Sequence, residues 1–134
     1  MSKKVFINLP VKDLNKSMEF FRSLGYTFNP DFTDETAACM VISEEIYSML
    51  ITEARFQEFI PNSICDATKS TEVLVALTCD SREEVDELVT KAIHSGATTY
   101  SDPKDYGFMY YRSFQDLDGH IWELCHMDAS AAQG

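Results

Sequence analysis

Glu123 is the residue whose chemistry most needs an explanation. It lies in the run Ile121-Trp122-Glu123-Leu124-Cys125-His126-Met127. In an extended strand, Ile121, Glu123, Cys125 and Met127 share one face, and His120, Trp122, Leu124 and His126 share the other. A carboxylate among apolar neighbours is costly unless it is paired, metal-bound, protonated or wetted by a cavity. An edge-strand glutamate in water is the plain alternative. A second apolar-rich run, Tyr110 to Phe114, precedes it, and Asp116-Leu117-Asp118-Gly119 lies between them. An Asp-Gly pair between such runs is a strong hairpin signal.

The loop length decides what Glu123 meets. A loop of four residues, Asp116 to Gly119, pairs Gln115 with His120 and puts Arg112 on the face of Glu123. A two-residue Asp118-Gly119 loop keeps Arg112 on that face, whereas a loop of odd length reverses it. The even-length reading predicts a charge-assisted Arg112–Glu123 pair, which would satisfy the carboxylate without a metal.

The elements that must position this hairpin read as an α+β chain. Lys3 to Val11 is a strand. Asp13 caps a helix that Gly25 ends, with Leu14, Met18 and Phe21 on one stripe. Strands follow at Tyr26–Phe32, Ala37–Ser43 and Tyr47–Thr52, then a short helix at Glu53–Ile60. Pro61 to Ser70 reads as a linker. A strand at Glu72–Cys79 leads to a helix capped by Ser81, with Glu84 completing a capping box. Val85, Leu88, Val89, Ala92 and Ile93 give that helix an apolar face, and Gly96 ends it. Thr98–Tyr100 is a short strand, Asp102–Gly107 a loop, and the hairpin closes the chain. The same order of elements therefore occurs twice, about 65 residues apart by this reading of the element order. Phe56 and Phe59, with Tyr106, Phe108 and Tyr110, cluster around the two connections, as packing, as a gate or as a subunit contact.

Two motifs carry a resemblance. Asp116-x-Asp118-Gly119-His120-x-Trp122-Glu123-Leu124 after an aromatic strand resembles the closing hairpin of the vicinal oxygen chelate superfamily. That superfamily includes glyoxalase I, extradiol dioxygenases and the bleomycin and fosfomycin resistance proteins. At the other end, Val11-x-Asp13-Leu14, Ser17, Phe20, Phe21 and Leu24-Gly25 resemble its opening strand and helix. The resemblance implies two βαβββ modules curling around a central cavity, one domain over residues 1–134. Module one would be about 1–60 and module two about 71–127, with a flexible tail at 128–134. It also implies a homodimer.

In the metalloenzymes of the superfamily, four positions supply ligands. By the resemblance they fall here on Phe6, near Leu50, near Leu74 and on Glu123. Only Glu123 is a ligand type, and a catalytic zinc or iron site needs about three protein ligands. No metal and no other cofactor is therefore expected, with a divalent metal as the alternative. Strand parity then nominates a largely apolar cavity lined by Phe6, Asn8, Leu50, Leu74, Ala76, Tyr110, Arg112, Ile121 and Glu123. No Ser/His/Asp or Cys/His arrangement and no glycine-rich phosphate loop is visible.

Composition narrows the partners. The 134 residues suit one domain, and the hydrophobic content of 45% suffices for a core. The formal net charge is -11, with Lys and Arg numbering 11 against 22 Asp and Glu. That argues against nucleic acid and anionic membrane surfaces. It does not imply a cationic substrate, since acidity mainly serves solubility. The cysteines Cys39, Cys65, Cys79 and Cys125 form no C-x-x-C pair and read as reduced thiols of a cytoplasmic protein. No apolar run reaches the length of a membrane span. The expected function is metal-independent binding of a small molecule. A glyoxalase-type (lactoylglutathione-lyase-like) or dioxygenase-like enzyme is the alternative. A non-catalytic interaction module with a filled cavity is the second alternative.

Overall fold

The computed structural model describes residues 3–128. They fall into two compact units that divide between Asp66 and Ala67, inside the stretch read as a linker. Each unit is a four-stranded mixed sheet with helices, so the chain is α+β and built from two similar modules. The tail reading, beyond Asp128, lies outside the described residues.

In the first unit the elements are β1 (Val5–Val11), α1 (Leu14–Ser23), β2 (Thr27–Asn29), β3 (Ala37–Val41), β4 (Ile46–Thr52) and α2 (Glu53–Gln57). The sheet order is β1-β4-β3-β2, with β1 and β4 parallel and the other pairs antiparallel. Asp13 caps α1 by accepting from the Lys16 amide at 3.1 Å. Leu14, Ser17, Met18 and Phe21 form its buried stripe. Leu9, Val11, Ala38, Met40 and Leu50 are buried on one face of the sheet. The expected strand at Tyr26–Phe32 stops at Asn29. Pro30 has no N–H for a ladder, and the Asn29 side chain caps the Asp31 amide at 2.9 Å, so Pro30–Phe32 winds into a 3-10 turn.

The second unit contains β5 (Leu74–Thr78), α3 (Arg82–His94), β6 (Lys104–Asp105), β7 (Met109–Gln115) and β8 (Ile121–Met127), in the sheet order β5-β8-β7-β6. The capping box forms: Ser81 accepts from the Glu84 amide at 3.0 Å, and Glu84 accepts from the Asp80 amide at 2.7 Å. Val85, Val89 and Ala92 of α3, and Val75, Phe114, Trp122 and Leu124 of the sheet, are buried in this unit. The strand expected at Thr98–Tyr100 shrinks to one bridge, Thr98 to Gln115, and the expected loop at Asp102–Gly107 supplies β6 instead.

Candidate functional site

The register of β7 and β8 settles what Glu123 meets. Gln115 pairs with Ile121, Ser113 with Glu123 and Arg112 with Leu124. The loop is therefore five residues, Asp116 to His120. Asp116 produces the odd length: its Oδ1 accepts from the amides of Asp118 at 2.9 Å and His120 at 3.0 Å. Its own amide donates to the His120 carbonyl at 2.9 Å.

The expected Arg112–Glu123 pair does not form, because odd length turns Arg112 to the opposite face. Arg112 donates to Asp86 of α3 at 3.2 Å, and the Tyr110 hydroxyl donates to the same carboxylate oxygen at 2.6 Å. Arg82 stacks over the Tyr110 ring at 5.1 Å and is paired in turn with Asp105 at 2.7 Å. These groups tie α3 to β6 and β7.

Glu123 stands half-buried on the other face, opposite Ser113 on β7 and Ala76 on β5. Of the residues nominated for a cavity, Leu74, Ala76, Ile121 and Glu123 share this face, whereas Tyr110 and Arg112 do not. Tyr111 is on the Glu123 face, stacked against Tyr106 at 6.1 Å. Burial pushes its hydroxyl up, helped by Tyr106 and by the Glu123 charge. Glu123 forms no salt bridge among the described residues.

A metal would need more than this. Among the described residues, no three His, Cys, Asp or Glu side chains come together as a ligand set. His126 lies on the helix-side face, its Nδ1 3.1 Å from the Cys79 carbonyl. One carboxylate flanked by alanine and serine does not fit a first-row transition metal, which takes about three protein ligands.

The first unit holds a cleft of about 710 Å³. Its floor is the open face of the sheet, formed by Asn8, Ala37, Met49 and Ile51. The 3-10 turn and the segment after it supply Asp31, Phe32, Thr33, Asp34 and Thr36. The α2 side supplies Arg55, Phe56, Phe59 and Ile60. Asn8 is thus a nominated residue that lines it. Phe6 shares the face and stacks on Tyr47 at 4.8 Å. Leu50 is fully buried on the opposite face, so the positions that reach the cleft from β4 are its neighbours Met49 and Ile51. Sequence reasoning nominated none of the turn residues. Phe56 and Phe59 stood out only as an aromatic cluster.

Asp34 is the most constrained polar group of the cleft. Its Oδ1 accepts from the Thr36 amide and hydroxyl, both at 2.8 Å, and from the Ala37 amide at 3.0 Å. Those bonds, Thr36 first, hold its carboxyl below the usual range.

Comparison with known proteins fits this architecture. Residues 3–43 match the family model for the bleomycin resistance protein-like N-terminal region. A hypothetical protein from S. aureus is 31% identical, with 94% of this chain and 95% of that one covered and a TM-score of 0.79. Residues 3–43 are thus similar to the bleomycin resistance protein-like N-terminal family, and the chain has the glyoxalase fold. Other solved structures share the fold at lower identity. A glyoxalase/bleomycin resistance protein/dioxygenase family enzyme from Burkholderia phytofirmans is 16% identical, with a TM-score of 0.77 over 94% of this chain and 99% of that one. The fosfomycin resistance protein FosX from Listeria monocytogenes is 22% identical, with a TM-score of 0.67 over 94% and 91%. No curated protein matches the sequence. Among the described residues, no helix is long and apolar enough to cross a membrane.

Proposed function

We propose that this protein binds a small organic molecule in the cleft of its first unit and does so without a bound metal. The observation that carries the reading is the cleft itself. At about 710 Å³ it falls within the roughly 300–1,000 Å³ of small-molecule sites. Its lining combines apolar side chains, Phe32, Ala37, Met49, Ile51, Phe56, Phe59 and Ile60, with polar groups that include Asn8 on the floor and Asp31, Asp34 and Arg55. The lone carboxylate at Glu123 supports the metal-free part. The reading places the protein in the cytoplasm as a homodimer, with its thiols reduced.

Ligand screening by thermal shift on chelator-treated protein tests it, since a molecule that binds only the folded state raises the melting temperature. Hits should persist after chelation and disappear in Met49→Trp, which fills the cleft. Hits that need added zinc, iron or manganese, or that survive Met49→Trp in a folded protein, would overturn the reading. Sedimentation of the purified chain at micromolar concentration tests the dimer.

A further inference from the structure

We infer that the cleft selects an organic cation: a protonated or alkylated amine carried on an apolar or aromatic body. The inference rests on the reading of the cleft as a binding site and adds the charge of its occupant.

Two carboxylates, Asp31 and Asp34, line the cleft against one guanidinium, Arg55. That guanidinium is already engaged. Its Nη1 is 3.3 Å from Glu58 Oε2, and its centre sits 4.7 Å over the Phe59 ring. An anionic ligand would thus have to compete with Glu58 for Arg55 while facing two further carboxylates. On the acidic side, Asp34 is hydrogen-bonded and already feels the charge of Arg55, which leaves Asp31 as the open carboxylate. The Asp31 carboxylate takes no hydrogen bond or ion pair among the described residues, because only its backbone amide is used, by Asn29. Asp34 is fixed in place through Oδ1, and its bonds favour the ionised form. Phe32, which is 65% exposed, and Phe56 complete the lining on either side. Aromatic rings attract a cation placed over their faces, and Arg55 over Phe59 is the protein's own example. An amine near Asp31 and Asp34 would leave its apolar body over Met49 and Ile51.

The net charge of the chain attracts any cation weakly, so the test must isolate the cleft. Three probes share one ring system: 2-naphthylmethylammonium, neutral 2-naphthylmethanol and anionic 2-naphthoate. Binding is measured by titration calorimetry at 0.15 M salt, where charges beyond about 8 Å are largely screened. The ammonium probe should bind most tightly and the naphthoate least. Asp31→Asn should weaken the ammonium probe about threefold, the scale of a solvent-exposed ion pair, and leave the alcohol unchanged. Arg55→Gln should strengthen the ammonium probe by a similar factor. Glu19→Gln, an exposed acid on α1, should change nothing. Naphthoate binding best, with loss in Arg55→Gln, would overturn the inference while the cleft remains a binding site. So would equal affinity for the alcohol and the ammonium. If none of the three binds, the reading of the cleft fails and the inference with it.

Discussion

The Trp122 indole N–H donates to Asp116 Oδ2 at 3.0 Å, where the chain reverses between β7 and β8. Trp122 is 1% exposed and Asp116 is 7% exposed. Both oxygens of the carboxylate are therefore spent on the hairpin, Oδ1 on two amides and Oδ2 on the indole. Trp122→Phe leaves Oδ2 without this donor. The unmet acceptor alone should cost about 1–3 kcal/mol, with lost packing added. Asp116→Asn should cost a similar amount, because an amide nitrogen cannot accept. Burial pushes the Asp116 carboxyl up, against the opposing effects of His120 and the Trp122 bond. The folded chain therefore binds this proton more tightly than the unfolded chain. The contribution of the group to stability falls as pH rises above the ordinary carboxylate range. Urea midpoints should fall as pH rises above the ordinary carboxylate range in the native sequence, and this component should be absent in Asp116→Asn.

Arg112 and Glu123 lie on opposite faces of β7 and β8 and should behave as independent sites. The Arg112–Asp86 side chains are 25% and 50% exposed, so the pair is open to solvent on one side. Arg112→Ala should cost about 1 kcal/mol or less. Glu123→Gln should change stability by no more than about 0.5 kcal/mol. The double variant should equal the sum within about 0.5 kcal/mol. A coupling well above that in a denaturation cycle would mean that the two side chains meet.

The helices were legible because their signals are local. Asp13, Ser81 and Glu84 cap within a few residues of themselves, and the apolar stripes follow one period. The hairpin was legible in kind and illegible in register. Its loop length depends on Asp116 reaching the His120 amide, a bond that no period records. The cleft was hidden for a related reason. Met49, Leu50 and Ile51 are all apolar, so the strand carries no alternation to say which of them faces inward, and a slip of one residue exchanges the faces. The remaining lining comes from a 3-10 turn and a short helix about 25 residues apart by their numbering, joined only by tertiary packing. The aromatics of α2 were visible, but what they enclose was not.

Asp105 provides a second pH handle, of opposite sign. The Arg82 side chain, bonded at 2.7 and 3.1 Å, and the Gly107 amide at 2.9 Å lower its pKa to about 2. The folded chain binds this proton less tightly than the unfolded chain. The stabilisation is therefore fully present above the ordinary value of 3.8 and is lost as pH falls through about 2. NMR titration of the Asp105 carboxyl should give a midpoint clearly below that of a model aspartate, and Arg82→Gln should raise it part of the way back, since the Gly107 amide bond remains. A normal midpoint in the native chain would mean that the Arg82 contact does not persist in solution.

Gly119 and Gly25 separate two costs of adding a methyl group. Both have positive φ, 90° and 106°. A Cβ on Gly25 would meet nothing within 4 Å, whereas one on Gly119 would come within 2.8 Å of the Thr68 amide nitrogen and 2.9 Å of the Ala67 carbonyl carbon. Those contacts are backbone, so no side chain can swing away. Gly25→Ala should therefore show the conformational cost alone, on the order of 1–2 kcal/mol. Gly119→Ala should show that cost plus a displacement of the 67–68 segment or of the hairpin. We expect it to exceed the Gly25 variant by about 1 kcal/mol or more, in the range of local overpacking. Amide exchange should then rise at Thr68 and around the loop from Asp116 to His120 in the Gly119 variant only. Equal losses from the two substitutions, with unchanged exchange at Thr68, would mean that the segment after Asp66 does not lie against the hairpin. The glycine at this position would then answer to its backbone angle alone.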